Sequence, residues 1–395
     1  MRACEVCNSI SIEQIHTQKF IVPDEENIFS YTVAACKNCG FIFAVDIPSQ
    51  EQYEKYYKLN TRYIYKADKG IVPEGIRKIH YDSFSLIEGF LKENNPFINK
   101  ETFRILDIGC STGYLLHIFK ERGYKNILGL DPAQECAEIA HKLYGIKVIS
   151  CPLSQYVTND QYDLIIMSGV LEHINDISDN LSMVSALLKD DGILFVMVPD
   201  AENFSADPCE PFHEFSLEHT NFITKNSLSN LMGKHGFINK LTESIEIRHY
   251  DSYALATFWV KTWTKMSIRN DISGILKVKQ YISRSSKKLK TLQDKIEKLV
   301  ESQEKVAVWG VGSLTSRLLA TTNLGKANIE AFVDSNPSLH GRKIKGIEIV
   351  YPQSLLGKNL TVFISTYVYS NVIKNILINK YHFQGKIVLI AEANN

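Results

Sequence analysis

Short apolar runs alternate with helix-like stretches in two separate parts of the chain, at residues 104–199 and 305–392. Parallel strands buried on both faces have this appearance, because the helices between them cover the sheet on either side. We therefore predict two α/β units with doubly wound parallel sheets, the second smaller than the first. The runs fall at 105–107, 127–130, 148–149, 164–167 and 193–198, then at 305–310, 329–334, 360–365 and 387–390.

Composition excludes several classes of protein. The 395 residues suggest two or three domains, and 44 basic residues balance 44 acidic ones. A neutral balance argues against blanket binding of nucleic acid or anionic membranes. The longest apolar run, Gly192–Val198, is far shorter than the roughly 18 residues that a membrane-spanning helix needs. Because the Met1–Cys4 start begins no hydrophobic leader, we predict a cytoplasmic protein in a reducing compartment.

Four of the eight cysteines form two CxxC pairs near the N-terminus, at Cys4, Cys7, Cys36 and Cys39. Four thiolates complete a tetrahedral zinc site without an open position, so we predict one structural Zn²⁺. Asn8 and Gly40 follow the pairs and tolerate the left-handed backbone of a tight turn. A redox CxxC or chance pairs of buried thiols are the alternatives. Three acidic residues at 24–26 argue against a zinc-dependent nucleic-acid binder.

A glycine turn follows the first strand of the larger series. Asp107, Gly109 and Gly113 lie between this strand and a helix that begins near Tyr114. Glycines let the backbone turn sharply and approach a ligand, and the amides at a helix start favour polar or anionic groups. Asp131 ends the next strand, where a carboxylate can accept hydrogen bonds from ribose hydroxyls. The spacing predicts a nucleoside site.

These residues resemble the class I S-adenosylmethionine-dependent methyltransferases, whose first motif is DxGxxxG and whose second is an acid after strand two. Segments 161–174 and 190–194 are also similar to that superfamily. An NAD-binding unit is the rival, but it would need a glycine where Ser111 stands. The resemblance implies S-adenosylmethionine as methyl donor. It implies that Asp107, Gly109 and Gly113 hold the methionine end, Asp131 the ribose, Pro152 the adenine region and Ser168 the floor of the site.

The densest group of candidate acid–base residues follows the fifth strand, at 211–222, and contains the pairs His213-Glu214 and Glu218-His219. Loops beyond the carboxyl ends of such a sheet are where acceptors bind. A hydroxyl, or a carbon beside a ketone, needs a base before methyl transfer, and the ordinary pKa of His, about 6.5, suits that role. The alternative is that both His-Glu pairs are solvated surface residues without a catalytic role. We interpret His173 as a locally satisfied residue at a helix start.

The order of a four-cysteine module, a methyltransferase core, a Glu-His loop and a C-terminal Rossmann-like unit resembles the nucleotide-sugar C-methyltransferases. That resemblance implies a nucleotide-linked deoxy-keto sugar as substrate, with His219 as the base at the carbon beside the ketone and Glu218 as its neighbour. The family has Tyr where Ser216 stands here. Tyr56 or Tyr57, in the Tyr-rich connector that follows the cysteine module, could supply the phenol hydroxyl that Ser216 lacks.

The smaller series begins with a second glycine turn. Gly310 and Gly312 precede a helix that carries Arg317, so this turn could accept a diphosphate with Arg317 as its charge partner. Asp334 ends the following strand, as a ribose-binding acid would. The alternative is a unit that serves only for packing.

We thus predict a zinc module with a Tyr-rich connector (1–75), a methyltransferase core with an acceptor loop (76–260), a helical linker (261–304) and a C-terminal Rossmann-like domain (305–395). The predicted enzyme is an S-adenosylmethionine-dependent methyltransferase acting on a nucleotide sugar at carbon. The alternatives are O-methylation of a sugar or related hydroxyl compound, and a non-catalytic binding or scaffold protein. No nucleic-acid or membrane partner is expected, and the oligomeric state is undefined, with a monomer compatible.

Overall fold

A computed structural model describes residues 2–25, 28–49, 52–53, 72–204, 210–247, 252–264 and 266–390. The chain divides into two compact units. The first contains residues 1–13, 34–204 and 218–277, and the second contains 14–33, 205–217 and 278–395. No helix within the described ranges is both long enough and apolar enough to cross a membrane.

The strands are β1 (Ile12–Ile21), β2 (Ile28–Cys36), β3 (Ile42–Val45), β4 (Arg104–Ile108), β5 (Asn126–Leu130), β6 (Val148–Ile149), β7 (Tyr162–Ser168), β8 (Leu188–Pro199), β9 (Asn221–Phe222), β10 (Phe237–Ile247), β11 (Ser252–Lys261), β12 (Val306–Trp309), β13 (Ile329–Val333), β14 (Lys343–Ile344), β15 (Ile347–Val350), β16 (Thr361–Ile364) and β17 (Ile387–Leu389). The α-helices are α1 (Glu74–Asn94), α2 (Tyr114–Glu121), α3 (Gln134–Tyr144), α4 (Ile177–Leu187), α5 (Lys225–Lys234), α6 (Ile272–Glu301), α7 (Ser313–Thr321) and α8 (Ser370–Asn375).

The first unit is built on a seven-stranded sheet with the order β10-β11-β8-β7-β4-β5-β6. Strand β4 pairs parallel with β5 and β7, whereas β11 pairs antiparallel with β8 and β10. Alternate side chains of the central strands enter two different cores: Leu106 and Ile165 lie in one, and Ile105 and Leu164 in the other. Both faces are therefore covered, which is why these strands are continuous apolar runs in the sequence.

The second unit has a six-stranded sheet with the order β14-β15-β13-β12-β16-β17. Its central strands β12, β13 and β16 are parallel, and Val308 and Phe332 lie in the core on one face, Ala307 and Val333 in the core on the other. The two predicted α/β units are confirmed, and their central strands are parallel, whereas β10, β11 and β14 pair antiparallel at the sheet edges.

The helix predicted from residue 261 begins eleven residues later, at Ile272. Lys261 is still part of β11, paired with Phe237, and the described residues between strand and helix, 262–264 and 266–271, form no regular element. Asp271 starts the helix, because its Oδ1 accepts a hydrogen bond of 3.1 Å from the amide of Gly274. Hydrophobic spacing alone did not reveal where the strand gives way to the helix.

Candidate active site

The turn after β4 has the left-handed backbone that glycine favours. Gly109 has φ +72° and Gly113 has φ +74°. A Cβ at position 109 would come within 2.7 Å of Val170 Cγ2, so even alanine would force a shift there. The amide of Gly109 donates to Leu130 O at 2.8 Å, which fixes the turn against the end of β5. The glycines are required by geometry.

Asp131 connects this turn to the next strand end. Its Oδ2 accepts a hydrogen bond of 2.9 Å from the amide of Ser111, and its Oδ1 accepts one of 2.9 Å from the amide of Ala133. Burial raises the pKa of Asp131, and the two amide bonds oppose that rise. Because a carboxylate has about four lone-pair positions, it can still accept hydrogen bonds from a ligand.

Asp107 is 4% exposed at the end of β4. Burial raises its pKa well above the ordinary range, and the nearby negative charge of Asp131 raises it further. None of the described residues donates a hydrogen bond to its carboxylate. A buried carboxylate without donors is expensive in the free protein, and a cationic ligand group would relieve that cost.

The sheet brings the six predicted cofactor residues to one edge. Asp131 follows β5, Pro152 follows β6 and begins a 3-10 turn at Leu153–Gln155, and Ser168 ends β7. With the turn after β4, these are the carboxyl ends of four neighbouring parallel strands. That edge is where doubly wound sheets bind ligands.

Glu172, His173 and His219 form a cluster just beyond β7. One carboxylate oxygen of Glu172 and one ring nitrogen of each histidine all lie within 4.8 Å of one another. The rings of His173 and His219 meet edge to face, with centroids 4.8 Å apart. His173 Nδ1 is 3.1 Å from Glu218 O. Burial lowers the pKa of His173, which favours the neutral imidazole at pH 7. The arrangement can accept and pass a proton.

Hydrogen bonds hold the two segments of this cluster together. The amides of Thr220 and Asn221 both donate to Glu172 O, at 2.8 and 3.1 Å. The Asn221 side-chain amide donates to Leu171 O and Ile174 O, and Arg2 donates to Asn221 Oδ1 at 2.8 Å. His219 is thereby fixed next to a turn that lies far from it in the sequence.

Sequence reasoning missed part of this cluster. His173 does not start a helix, because α4 begins only at Ile177, and Glu172 and Asn221 were not singled out. The usable signal was the Leu-Glu-His stretch directly after β7, at the sheet edge where the cofactor residues converge.

The second glycine turn repeats part of this pattern within the second unit. Gly310 has φ +106°, and a Cβ there would come within 3.1 Å of Ser365 O, whereas Gly312 has ordinary extended geometry and open space. Asp334 Oδ2 accepts from the amide of Val311 at 2.8 Å, as Asp131 does from Ser111.

Arg317 has a different environment from the predicted one. Its side chain is buried, and all five of its N–H groups donate to protein acceptors, so none remains for a diphosphate. The predicted substrate residues Tyr56 and Tyr57 lie outside the described residues.

The four cysteines of the two CxxC pairs converge as predicted from their spacing. Cys4 Sγ is 3.4 Å from Cys39 Sγ, and Cys7 Sγ is 3.4 Å from Cys36 Sγ. All four sulfurs lie within 4.8 Å of one another, which fits a tetrahedral ion with Zn–S bonds of about 2.3 Å. Asn8 and Gly40 adopt the expected left-handed backbone, at φ +60° and +80°.

Residues 77–240 match a family model described as a methyltransferase domain, and residues 302–388 match one described as C2185-like, N-terminal. Together with the seven-stranded sheet and its glycine turn, the first match defines the class: the chain is an S-adenosylmethionine-dependent methyltransferase with a class I domain.

Similarity to one relative extends over most of the chain. The C-methyltransferase NovU of Streptomyces niveus is 22% identical over 347 residues, which cover 82% of this chain and 76% of that protein. The mitochondrial ubiquinone biosynthesis O-methyltransferase of Bos taurus is 31% identical over 103 residues, only 24% of this chain and 28% of its own length. Among solved structures, the 1,6-didemethyltoxoflavin-N1-methyltransferase of Burkholderia thailandensis covers 57% of this chain and 97% of its own, at 18% identity and a TM-score of 0.41.

Proposed function

We propose that this methyltransferase acts on a nucleotide-linked deoxy-keto sugar and places the methyl group on the carbon beside the ketone. The observation that carries the proposal is the cluster of His219 with His173 and Glu172, next to the edge where the cofactor residues converge. The similarity to a C-methyltransferase over 82% of the chain supports carbon as the acceptor atom.

S-adenosylmethionine supplies an electrophilic methyl group on a sulfonium. In our proposal Asp107, Gly109 and Gly113 hold its methionine end, Asp131 its ribose and Pro152 its adenine region. Ser168 lines the floor between donor and acceptor. The buried carboxylate of Asp107, which no described residue pairs, suits the cationic amino group of the donor.

His219 acts as the general base in this reaction. It takes the proton from the sugar carbon beside the ketone, and the electron pair of the broken C–H bond forms an enolate. The enolate carbon would then take the methyl group that S-adenosylmethionine supplies, with the thioether as the leaving group. Holding the reactants in this geometry is worth up to about 7–11 kcal/mol. Glu218 is the neighbour of the base, and its carbonyl oxygen contacts His173 at 3.1 Å.

Two further parts of the proposal concern binding. Gly310 and Gly312, in the second glycine turn, are the residues of the second unit that we propose to contact a nucleotide. One structural zinc ion is held by the four clustered cysteines and stabilises the N-terminal module. Arg317 is not included, because its donors are already used.

Proton–deuterium exchange tests the mechanism. We expect the wild-type protein, incubated with a nucleotide-linked 4-keto-6-deoxyhexose in D₂O without methyl donor, to exchange the proton beside the ketone. His219→Asn should lose exchange and turnover by about 10²–10⁴-fold, which is the usual contribution of a general base. Its affinity for S-adenosylmethionine, measured by calorimetry, should stay the same.

His141→Asn is the matched control, because His141 is an exposed residue of α3 in the same unit. It should behave like the wild type in all three assays. Undiminished exchange in His219→Asn would exclude this residue as the base. Methyl transfer to a hydroxyl without any carbon exchange would favour the O-methyltransferase alternative.

A further inference from the structure

Arg317 is buried in the second unit and uses its whole guanidinium to bind one short segment of the acceptor loop. Nη1 donates to Pro211 O at 3.0 Å, and Nη2 donates to Phe212 O at 2.8 Å and to Phe215 O at 3.1 Å. Nη1 also forms an ion pair of 3.2 Å with Glu210. Four of the five N–H groups therefore bind the segment 210–215.

The planar, rigid fork of arginine is what makes this possible. Lysine has three donors on a single nitrogen, so it cannot serve the five acceptors that the guanidinium reaches from three nitrogens. The remaining donor, Nε, donates to Gln18 Oε1 at 3.3 Å, so the fifth N–H group also has an acceptor. The burial of a full charge is offset by the ion pair and by the carbonyl dipoles.

The bound segment contains a strained residue. Phe212 has φ +57°, a left-handed conformation that bulky side chains rarely adopt because it is strained. Such a conformation persists only where the surroundings enforce it. The carbonyl of Phe212 accepts from Arg317, and its ring stacks on His16 with centroids 4.5 Å apart.

Other groups of the second unit hold the rest of the segment. Tyr31 Oη donates to Ser216 O at 2.8 Å, and the amide of Glu214 donates to Tyr281 Oη at 3.1 Å. Five residues of segment 210–216 therefore have a backbone group hydrogen-bonded to a side chain of the second unit: Pro211, Phe212, Glu214, Phe215 and Ser216. The next residues along the chain after Leu217 are Glu218 and His219.

We propose that Arg317 is a positioning residue, which fixes segment 210–217 and thereby restrains the backbone that continues directly into Glu218 and His219. This inference rests on the proposed function, in which His219 is the base. Arg317 itself does not touch the substrate. Its effect is on the precision of the acceptor loop, because a misplacement of about 1 Å at a reacting group can cost about 10²-fold in rate.

Three variants test this role: Arg317→Lys keeps the charge without the fork, Arg317→Ala removes both, and Arg342→Ala is the control. Arg342 is a partly exposed arginine of the same unit that pairs with Asp24. Hydrogen–deuterium exchange by mass spectrometry follows the amides of 212–220. Calorimetry gives the affinity for S-adenosylmethionine, and turnover is measured with the nucleotide-linked 4-keto-6-deoxyhexose.

In Arg317→Ala and Arg317→Lys we expect amide exchange in 212–220 to rise, and kcat to fall, by about tenfold or more, since several hydrogen bonds to a charged donor are lost. The affinity for S-adenosylmethionine should not change. Free guanidinium at millimolar concentration should restore part of the kcat of Arg317→Ala, which a misfolded protein would not show. Arg342→Ala should match the wild type.

Wild-type kcat and loop exchange in Arg317→Ala would overturn the proposal. So would a general rise of exchange over both units with loss of S-adenosylmethionine binding, because Arg317 would then be a residue of global stability. If the wild type methylates no keto sugar, the proposed function fails instead. Exchange in 212–220, together with the rate at which diethyl pyrocarbonate modifies His219, still decides whether Arg317 positions the loop.

Discussion

Replacing Asp107 by Asn should stabilise the free protein at neutral pH and weaken its binding of S-adenosylmethionine. The carboxylate is 4% exposed and has no hydrogen-bond donor among the described residues. Burial, with the charge of Asp131, raises its pKa well above the ordinary value. The charged form is therefore less stable in the folded chain than in the unfolded chain, and a neutral amide of nearly the same shape removes that cost.

The sign of the pH dependence follows from this shift. Because the folded-state pKa is raised, the folded protein binds more protons, so the contribution of Asp107 to stability is full below the unfolded pKa of about 3.9 and is lost as the pH rises through the folded-state value. Over that range the free energy of unfolding of the wild type should fall, relative to Asp107→Asn, by up to about 1.4 kcal/mol per pH unit.

Ligand binding should change in the opposite direction. A hydrogen bond to a charged partner is worth about 1.5–3 kcal/mol, so Asp107→Asn should lose roughly 10- to 150-fold in affinity for S-adenosylmethionine. Thermal unfolding from pH 5 to 8.5 and calorimetric titration measure the two effects. Asp163→Asn is the control, because Asp163 pairs with Lys189 at the start of β7, away from the carboxyl edge of the sheet. Equal destabilisation of Asp107→Asn at every pH, or an unchanged affinity, would refute the reasoning.

Two further predictions concern the zinc module and the glycine turn. Metal analysis of reduced protein should find one zinc per chain, and Cys4→Ser should lower its zinc content and its Tm, whereas a metal-free wild type would contradict the site. Gly109→Ala should destabilise the protein and weaken S-adenosylmethionine binding, because a Cβ would lie 2.7 Å from Val170 Cγ2 at a φ of +72°. Adding Val170→Ala should restore part of the stability by relieving the contact, but not the part due to φ, and no restoration at all would show that the contact is not the cause.

Local patterns in the sequence predicted much of the fold. The apolar runs of β4, β7 and β8 are continuous because those strands are buried on both faces, and this is visible without any tertiary information. The predicted start of α6 was eleven residues too early, since residues 262–271 contain neither glycine nor proline to mark a boundary between strand and helix.

Part of the candidate site could likewise be predicted from the sequence, and part of it could not. The glycine turn and Asp131 could be recognised from spacing, because adjacent parallel strands bring their ends together by necessity. The contact of His173 with the loop of His219 could not be recognised from the sequence. It joins residues 45 positions apart, and both lie in turns that have no repeating sequence pattern. A histidine in a turn has no sequence signal that identifies its partner.

The sequence by itself determined the central strands of the two large sheets, where the backbone must turn on glycine and which four sulfurs meet, because those properties depend on side-chain period and short spacing. Only the tertiary structure decided what Arg317 does. The sequence suggested an anion partner beside a glycine turn, yet the folded unit buries the guanidinium and directs it to carbonyls about a hundred residues away. A buried charge takes the acceptors that packing brings to it, and loop packing is a property of the whole unit rather than of any local segment.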